Sequence, residues 1–416
     1  MEYHAPRTSP VPAFEGYYNK FLLPSGAHLI VVISKVFKAE RNGNALTFTY
    51  IPASCTDGKR EIWQKLYFVE EMTLQHFRPK LSTFISTSTS DSEPQTQPQQ
   101  RHGSEGGSEG QGHAFLLSCP GYGSVHYSSS GSADFAFETP EITFRATTTS
   151  TSTVPWPATP NLTPEGMLVH LPLPLHWHVH SLASRAEFSL EIPGYVGGDG
   201  VPAVDAKGEA VVHQEKNWAT SFPSAHIWVH GRKNGSSTPG SSASASDFAA
   251  IAPPAPEPDS DGYKKEEGET ILNLAGGSIL GLKAFLIGYT SPDLELAFRP
   301  PLATQLPGGI GPFLSYTVDW EARTFDLSVQ NFRHKLVLQA SAPKGSFYPL
   351  AAPFPEGHRE NFLNQSMAAS LTLKIYENSS FGLGTWKLLR EERFENAGLE
   401  FGADWFPPAG SESAFN

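Results

Sequence analysis

The 416 residues include only two cysteines, Cys55 and Cys119. At most one disulfide can form, and two separate thiols fit the sequence equally well. Charged residues are scarce at 17%, and lysine and arginine (30) are outnumbered by aspartate and glutamate (42), for a formal net charge of −12. No basic stripe offers counterion release, so nucleic acid is not an expected partner. No apolar run approaches the roughly 18 residues of a membrane-spanning helix. The polar N-terminus, Met1 to Pro12, lacks the apolar core of a signal peptide. A mature chain whose signal had been removed would look the same. Sequons at Asn161, Asn234, Asn364 and Asn378 keep the secretory pathway open and leave localisation undetermined. Also missing are a phosphate-binding loop and a G-x-S-x-G elbow, and no helical pattern follows Gly276-Gly277 or Gly308-Gly309. Dinucleotide binding and the common hydrolase motif thus have no support, and no cofactor is expected.

What is present is aromatic and turn-rich. Aromatic residues make up 12% of the chain, with 27 Phe and 8 Trp, alongside 37 Gly and 35 Pro. Aromatics suit half-buried pleated surfaces and line ligand pockets. Leu29 to Phe37 is an almost continuous apolar run. Ala45 to Ile51, Glu141 to Arg145, Ala186 to Ile192, Ile279 to Tyr289, Leu314 to Asp319, Thr324 to Val329, Lys335 to Ala340 and Ser370 to Tyr376 continue the strand-like series. Helical periodicity is weak, with Val69 to Phe77 the best short candidate. The spacing predicts an all-β protein of sandwiches or closed barrels with few short helices. Polar stretches at Ser82 to Gly112, Ala146 to Thr153 and Asn234 to Gly268 cannot bury enough apolar surface to order themselves, and read as mobile loops.

Three segments could carry chemistry. In the first, from His213 through Glu215, Lys216, Asn217 and Trp218 to Phe222 and Trp228, strand alternation puts Glu215 and Asn217 on one face and Lys216 and Trp218 on the other. Buried charges need partners, which a barrel interior can supply; a solvated strand end is the alternative. Alternation leaves open which face points inward. In the second, His176, His178 and His180 share a face opposite Trp177. With His213, His226 or His230 such a set could hold a metal, but no carboxylate has the spacing of a mononuclear site, and none is assigned. In the third, Phe14-Glu-Gly-Tyr-Tyr-Asn-Lys20, Gly16 permits a bulge or a close backbone approach.

These segments resemble the tocopherol cyclase-like family, which carries a Phe-Glu-Gly-Trp-Tyr opening and a Glu-Lys-Asn-Trp-Gly…Phe-Pro…Trp block in the same order. The match spans about residues 14 to 230. Tyr17 stands for the family's Trp, Ala219 for its Gly, and His226 interrupts its aromatic run. The resemblance implies two lipocalin-like antiparallel β-barrels packed together, at about residues 11–222 and 223–410, with mobile loops at about 82–112 and 234–268. It also implies ring closure on apolar terpene and quinonoid substrates. With its Ser/Thr/Pro-rich insertions the chain looks fungal. It is similar to the hetero-Diels–Alderases of tropolone sesquiterpenoid biosynthesis, which join an ortho-quinone methide to a humulene-type alkene and form a dihydropyran. On that reading Lys216 is the carbonyl donor and Glu215 or His213 the acid or base. His176, Trp177, Asn217, Trp218, Phe222, Trp228, Phe14 and Tyr17 would contact substrate. Chroman ring closure of the tocopherol-cyclase type, a metal enzyme using His176 and His178, and a non-catalytic terpenoid carrier are the alternatives.

Overall fold

A computed structural model describes residues 12–53, 61–77, 114–157, 163–171, 173, 175–195, 200–220, 222–234, 269–279, 281–379 and 384–406. The expected loops at about 82–112 and 234–268 lie outside these residues, apart from Asn234.

The alternating segments form strands wherever one face finds a core. Ala133–Glu138 alternates buried and solvent-facing residues along its whole length, with Phe135 and Phe137 inward. The first sheet contains β1 (Phe14–Leu22), β2 (His28–Val36), β3 (Asn44–Ile51), β4 (Trp63–Phe68), β5 (Thr73–Phe77), β6 (Ala114–Cys119), β7 (Gly123–Tyr127), β8 (Ala133–Glu138), β9 (Thr143–Thr148), β10 (Leu175–Glu191) and β11 (Lys207–Ala219). The second contains β12 (Ala225–Lys233), β13 (Thr270–Ile279), β14 (Leu282–Thr290), β15 (Glu295–Phe298), β16 (Thr304–Gln305), β17 (Leu314–Asp319), β18 (Thr324–Gln330), β19 (His334–Ser341), β20 (Phe347–Phe354), β21 (Gly357–Glu377) and β22 (Lys387–Ala403). Every ladder is antiparallel. The described helical turns are short: Ser150–Ser152, Gly166–His170 and Ala203–Ala206. The chain is all-β, as the sequence predicts.

In the first sheet the order is β4-β3-β2-β1-β11-β10-β9-β8-β7-β6-β5. Its two edge strands, β4 and β5, are neighbours in sequence, so the sheet curls back on itself around a core rich in phenylalanine. Phe21 meets Phe135 and Phe144 edge-on at 5.2 and 4.9 Å, and Phe48 meets Phe137 at 5.2 Å. Each such pair contributes about 0.5–1.5 kcal/mol beyond the area it buries. The second sheet wraps a separate core that includes Phe285, Phe325, Phe394 and Phe401. A third apolar cluster, including Ile30, Trp156, Trp177, Trp228 and Ile271, joins the two sheets.

Two local expectations are corrected. Val69 to Phe77 is not helical: Thr73–Phe77 is a strand paired with Ala114–Ser118, and tertiary pairing overrides a weak helical period. Ala146 to Thr153 is not a free loop either. Ala146 and Thr148 are buried in β9, the Thr148 hydroxyl accepts from the Ala133 amide at 2.7 Å, and a helical turn follows at Ser150–Ser152. Threonine is polar but β-branched, and the sheet uses its branching.

The sequons also fall differently. Asn364 is fully buried in β21, and Asn378 is buried with its amide donating to the Gly384 carbonyl, so neither can accept a glycan in the folded chain. Asn234 is exposed, and Asn161 lies outside the described residues. Cys119 is a buried free thiol, while Cys55 lies outside them.

Candidate functional site

Alternation in β11 acquires its phase from the core. Ala210 and Val212 pack inside the first sheet, together with Tyr17 and Phe21 of β1. Gln214, Lys216 and Trp218 therefore share that inner face. Val211, His213, Glu215 and Asn217 face the second sheet. In β1 the same rule turns Gly16, Tyr18 and Lys20 towards it, and β1 pairs with β11 so that Gly16 is opposite Asn217 and Lys20 opposite His213. From the second sheet, His226, Trp228 and His230 of β12 and Glu400 of β22 complete the junction.

A cavity of about 360 Å³ opens there. Most of its wall is apolar and includes Trp177, Trp228, Phe222, Leu286, Leu350 and Leu363. The polar groups that reach it include Glu215, Asn217, Tyr18, Gln365, His226 and Glu400. A concave apolar space with a few convergent polar groups is the usual form of a small-molecule site.

Glu215 is held from two sides. Trp177 Nε1 donates to its Oε2 at 3.0 Å, and His213 Nε2 lies 3.1 Å from the same oxygen. Across the cavity, Glu400 Oε1 is 2.9 Å from His226 Nε2, and its Oε2 accepts from Gln365 Nε2 at 2.9 Å. The Gln365 carbonyl oxygen accepts from the hydroxyls of Tyr18, at 3.1 Å, and Tyr348. Burial, reinforced by nearby Glu400, pushes both phenols well above their ordinary value, so they remain donors. Trp228 Nε1 and Asn217 Oδ1 are buried without a protein partner. Such atoms at a cavity wall are sites for a ligand or a water.

Close approach makes this geometry. A Cβ on Gly16 would lie 2.5 Å from Asn217 Oδ1, so only glycine lets the Asn217 amide lie across β1. This is the close approach expected of Gly16. A Cβ on Gly398 would meet the Trp228 ring at 2.4 Å.

The structure divides the residues singled out in the sequence. Glu215, Asn217, Trp177, Phe222, Trp228 and Tyr17 border the cavity. His213 stands behind Glu215. His176 is one layer back, 2.8 Å from Glu165 through Nδ1 and stacked on Trp218 at 5.1 Å. His178 and His180 meet edge-on at 4.8 Å, and His180 lies beside Tyr127 of the first core. Phe14 packs with Val36 and Ala219 behind Phe222, its ring 6.2 Å from that of Phe222. Lys216 is corrected: it lies on the face turned away from the second sheet, 3.4 Å from Glu15 Oε2 and over the Tyr17 and Trp218 rings. It does not border the cavity, so it is not placed to donate to a substrate there. The physical reason is the one-residue phase that alternation alone leaves open.

Tyr18, Gln365 and Glu400 were not singled out. Tyr18 belongs to the Phe14–Lys20 motif, and alternation from Gly16 could have found it. Gln365 reaches Tyr18 across 347 positions of sequence, and no local pattern announces that pairing.

Comparison with solved structures gives the same architecture. The chain shares the fold of CghA. The crystal structure of CghA superposes with a TM-score of 0.53 at 9% identity, covering 94% of this chain and 88% of that one. CghA with Sch210972 gives 0.48 at 10% identity over the same shares. Kievitone hydratase from Nectria haematococca gives 0.41 at 9%, over 96% and 92%. At such identities the likeness concerns the fold alone. It agrees with the architecture implied by the Phe14–Lys20 and Glu215–Trp218 motifs. No protein-family model matches the sequence, and no curated protein does.

Proposed function

We propose that this chain is a cyclase or pericyclase of fungal secondary metabolism that encloses apolar substrates between its two sheets. The observation that carries the reading is Glu215. Its carboxyl faces an apolar, tryptophan-walled cavity and is oriented by Trp177 and His213.

The specific reaction proposed is an intermolecular hetero-Diels–Alder addition. A tropolone-type ortho-quinone methide adds to a humulene-type alkene and closes a dihydropyran. Holding both partners in a near-attack pose can supply about 7–11 kcal/mol of the barrier. An apolar wall also keeps water from the reactive methide. In the preceding step Glu215 gives a proton to the hydroxyl of a hydroxymethyl precursor. The C–O bond breaks, water leaves, and the ring hydroxyl returns a proton to the carboxylate. The Trp228 indole N–H would then donate to the ring carbonyl and lower the acceptor orbital of the diene, while Asn217 Oδ1 would accept from a substrate hydroxyl. The reading invokes no cofactor.

The test is turnover of a hydroxymethyl tropolone in the presence of humulene, followed by chiral chromatography. The expected result is one stereoisomer with the native protein and a slow, unselective mixture with Glu215→Gln. Release of the terpene unchanged, with identical product ratios with and without protein, would leave only a carrier.

A further inference from the structure

One carboxyl at the cavity wall, Glu165, has no part in the proposed reaction. It is buried, and both of its oxygens are engaged. Oε1 accepts from the Trp177 backbone N–H at 2.6 Å, and Oε2 lies 2.8 Å from His176 Nδ1. These two partners are adjacent residues of β10. From Glu165 the chain runs directly into the helical turn Gly166–His170. Glu165 thus fastens that turn to the strand whose tryptophan holds Glu215.

The turn separates the cavity from solvent. Leu168 borders the cavity, while Met167 beside it is 71% exposed. The turn also meets the second sheet's side of the junction. Gly166 has a φ of +58°, and a Cβ there would overlap Arg299 Nη1. Arg299 follows β15 and precedes Pro300, which itself borders the cavity. The turn therefore runs from one sheet to the other along an edge of the cavity. Its shape is set locally: the Gly166 amide donates to the Thr163 carbonyl at 2.8 Å, and the Leu171 amide to the Leu168 carbonyl at 3.0 Å. Such local bonds do not fix where the turn sits. Its position is supplied by the buried Val169 and by Glu165.

We infer that Glu165 is a positioning residue: one side chain holds the turn against the cavity and Trp177 in place beside Glu215, so that closure of the cavity and the aim of its carboxyl depend on each other. Trp177 carries the link, because its backbone N–H is bonded to Glu165 and its indole N–H to Glu215. A turn that lifts away withdraws the acceptor from the Trp177 amide and lets water reach the cavity. A turn that settles restores both. Glu215 is then aimed only when the apolar space is shut, which suits a reactive methide that water would consume. The catalytic consequence rests on the reading of Glu215 as the acid; the tie between turn and strand does not.

Two readouts test this. The first is access. Leu168→Cys places a thiol at the cavity wall, and mass spectrometry of its peptide follows labelling by a charged thiol reagent, with Met167→Cys as the exposed reference. Adding Glu165→Leu should speed labelling at position 168 about tenfold and leave position 167 unchanged. Glu165→Gln, whose side-chain oxygen still accepts from the Trp177 amide, should keep the slow rate. The second readout is the aim of the carboxyl. The NMR signal of the Trp177 indole N–H, assigned with Trp177→Phe, should move towards that of an unbonded indole in Glu165→Leu and stay in place in Glu165→Gln. In turnover, kcat should fall about tenfold in Glu165→Leu with a smaller change in KM, and Glu165→Gln should restore it. Should the leucine variant not fold, Glu165→Asp, one methylene short of both partners, carries the same expectations. A native labelling rate or a native Trp177 signal in the folded variant overturns the role of Glu165 whatever the enzyme does. Both changes without any turnover, in the native protein as well, would instead overturn the proposed reaction and leave the positioning standing.

Discussion

The indole N–H of Trp177 donates to Glu215 Oε2 at 3.0 Å, which ties the wall of the cavity to its central carboxyl. Trp177 comes from β10 and Glu215 from β11, and the ladder sets Val179 opposite Glu215 and Trp177 opposite Asn217. The indole thus reaches diagonally, and a slip of either strand would separate the two. Glu215→Gln keeps an oxygen for the indole but cannot act as an acid. It is expected to lower kcat by about 10²–10⁴. Stability, read by urea denaturation, should change little by comparison. A variant with unaltered kcat would remove Glu215 from the chemistry.

Gly16 and Asn217 are coupled by contact. In Gly16→Ala the new methyl would lie 2.5 Å from Asn217 Oδ1, and the amide must swing aside. Because the clashing atom is the end of a side chain that can turn, the cost should sit at the low end of the about 1–3 kcal/mol of overpacking. Adding Asn217→Ala should recover most of the lost stability but none of the lost activity, because it removes the clash and the proposed substrate contact together. A double-mutant cycle by thermal denaturation measures the coupling. Additive single effects would mean that the two side chains do not meet.

Much of the fold could be read in the chain, because alternation with aromatic residues leaves few architectures other than antiparallel sheets. The site was readable as a set of residues but not as a surface. Alternation separates Glu215 and Asn217 from Lys216 and Trp218, yet the choice between the pairs depends on Ala210 and Val212 packing beside Phe21. That long-range fact moves the candidate donor from Lys216 to the opposite face. Gln365 and Glu400 were out of reach for a similar reason. Each looks like an ordinary polar residue on a strand until β21 and β22 bring it opposite Tyr18 and His226. The Thr-rich stretch after Ala146 misled in another way, since its polarity hid its fitness for a strand.

Cys119 offers a chemical check on the first core. Its thiol is buried among apolar groups, and burial pushes it up to about 12, with Lys35 only partly opposing. At pH 8 almost no thiolate exists there. Iodoacetamide should leave the Cys119 peptide unmodified in the native protein and alkylate it fully in urea, as read by mass spectrometry. Rapid native labelling would show that this core opens to solvent.

Acid should unfold the protein through two histidines at the junction of the sheets. Burial first, then the neighbouring Lys20 charge, bring His28 from its ordinary 6.5 to about 3, and the same two causes lead those that hold His230 well below its ordinary value. Both nitrogens of His28 are buried without a partner, so the fold offers its charged form nothing. Between pH 6.5 and about 3 the unfolded chain binds a proton at His28 that the folded chain refuses. Stability is therefore full above 6.5 and falls as the pH drops, by up to about 1.4 kcal/mol per pH unit for each such histidine. Urea midpoints measured between pH 7 and 4 should decline less steeply in His28→Leu than in the native chain, because the variant has no proton to refuse. Equal slopes would mean that His28 takes up its proton in the folded state, and so is not sealed between the sheets.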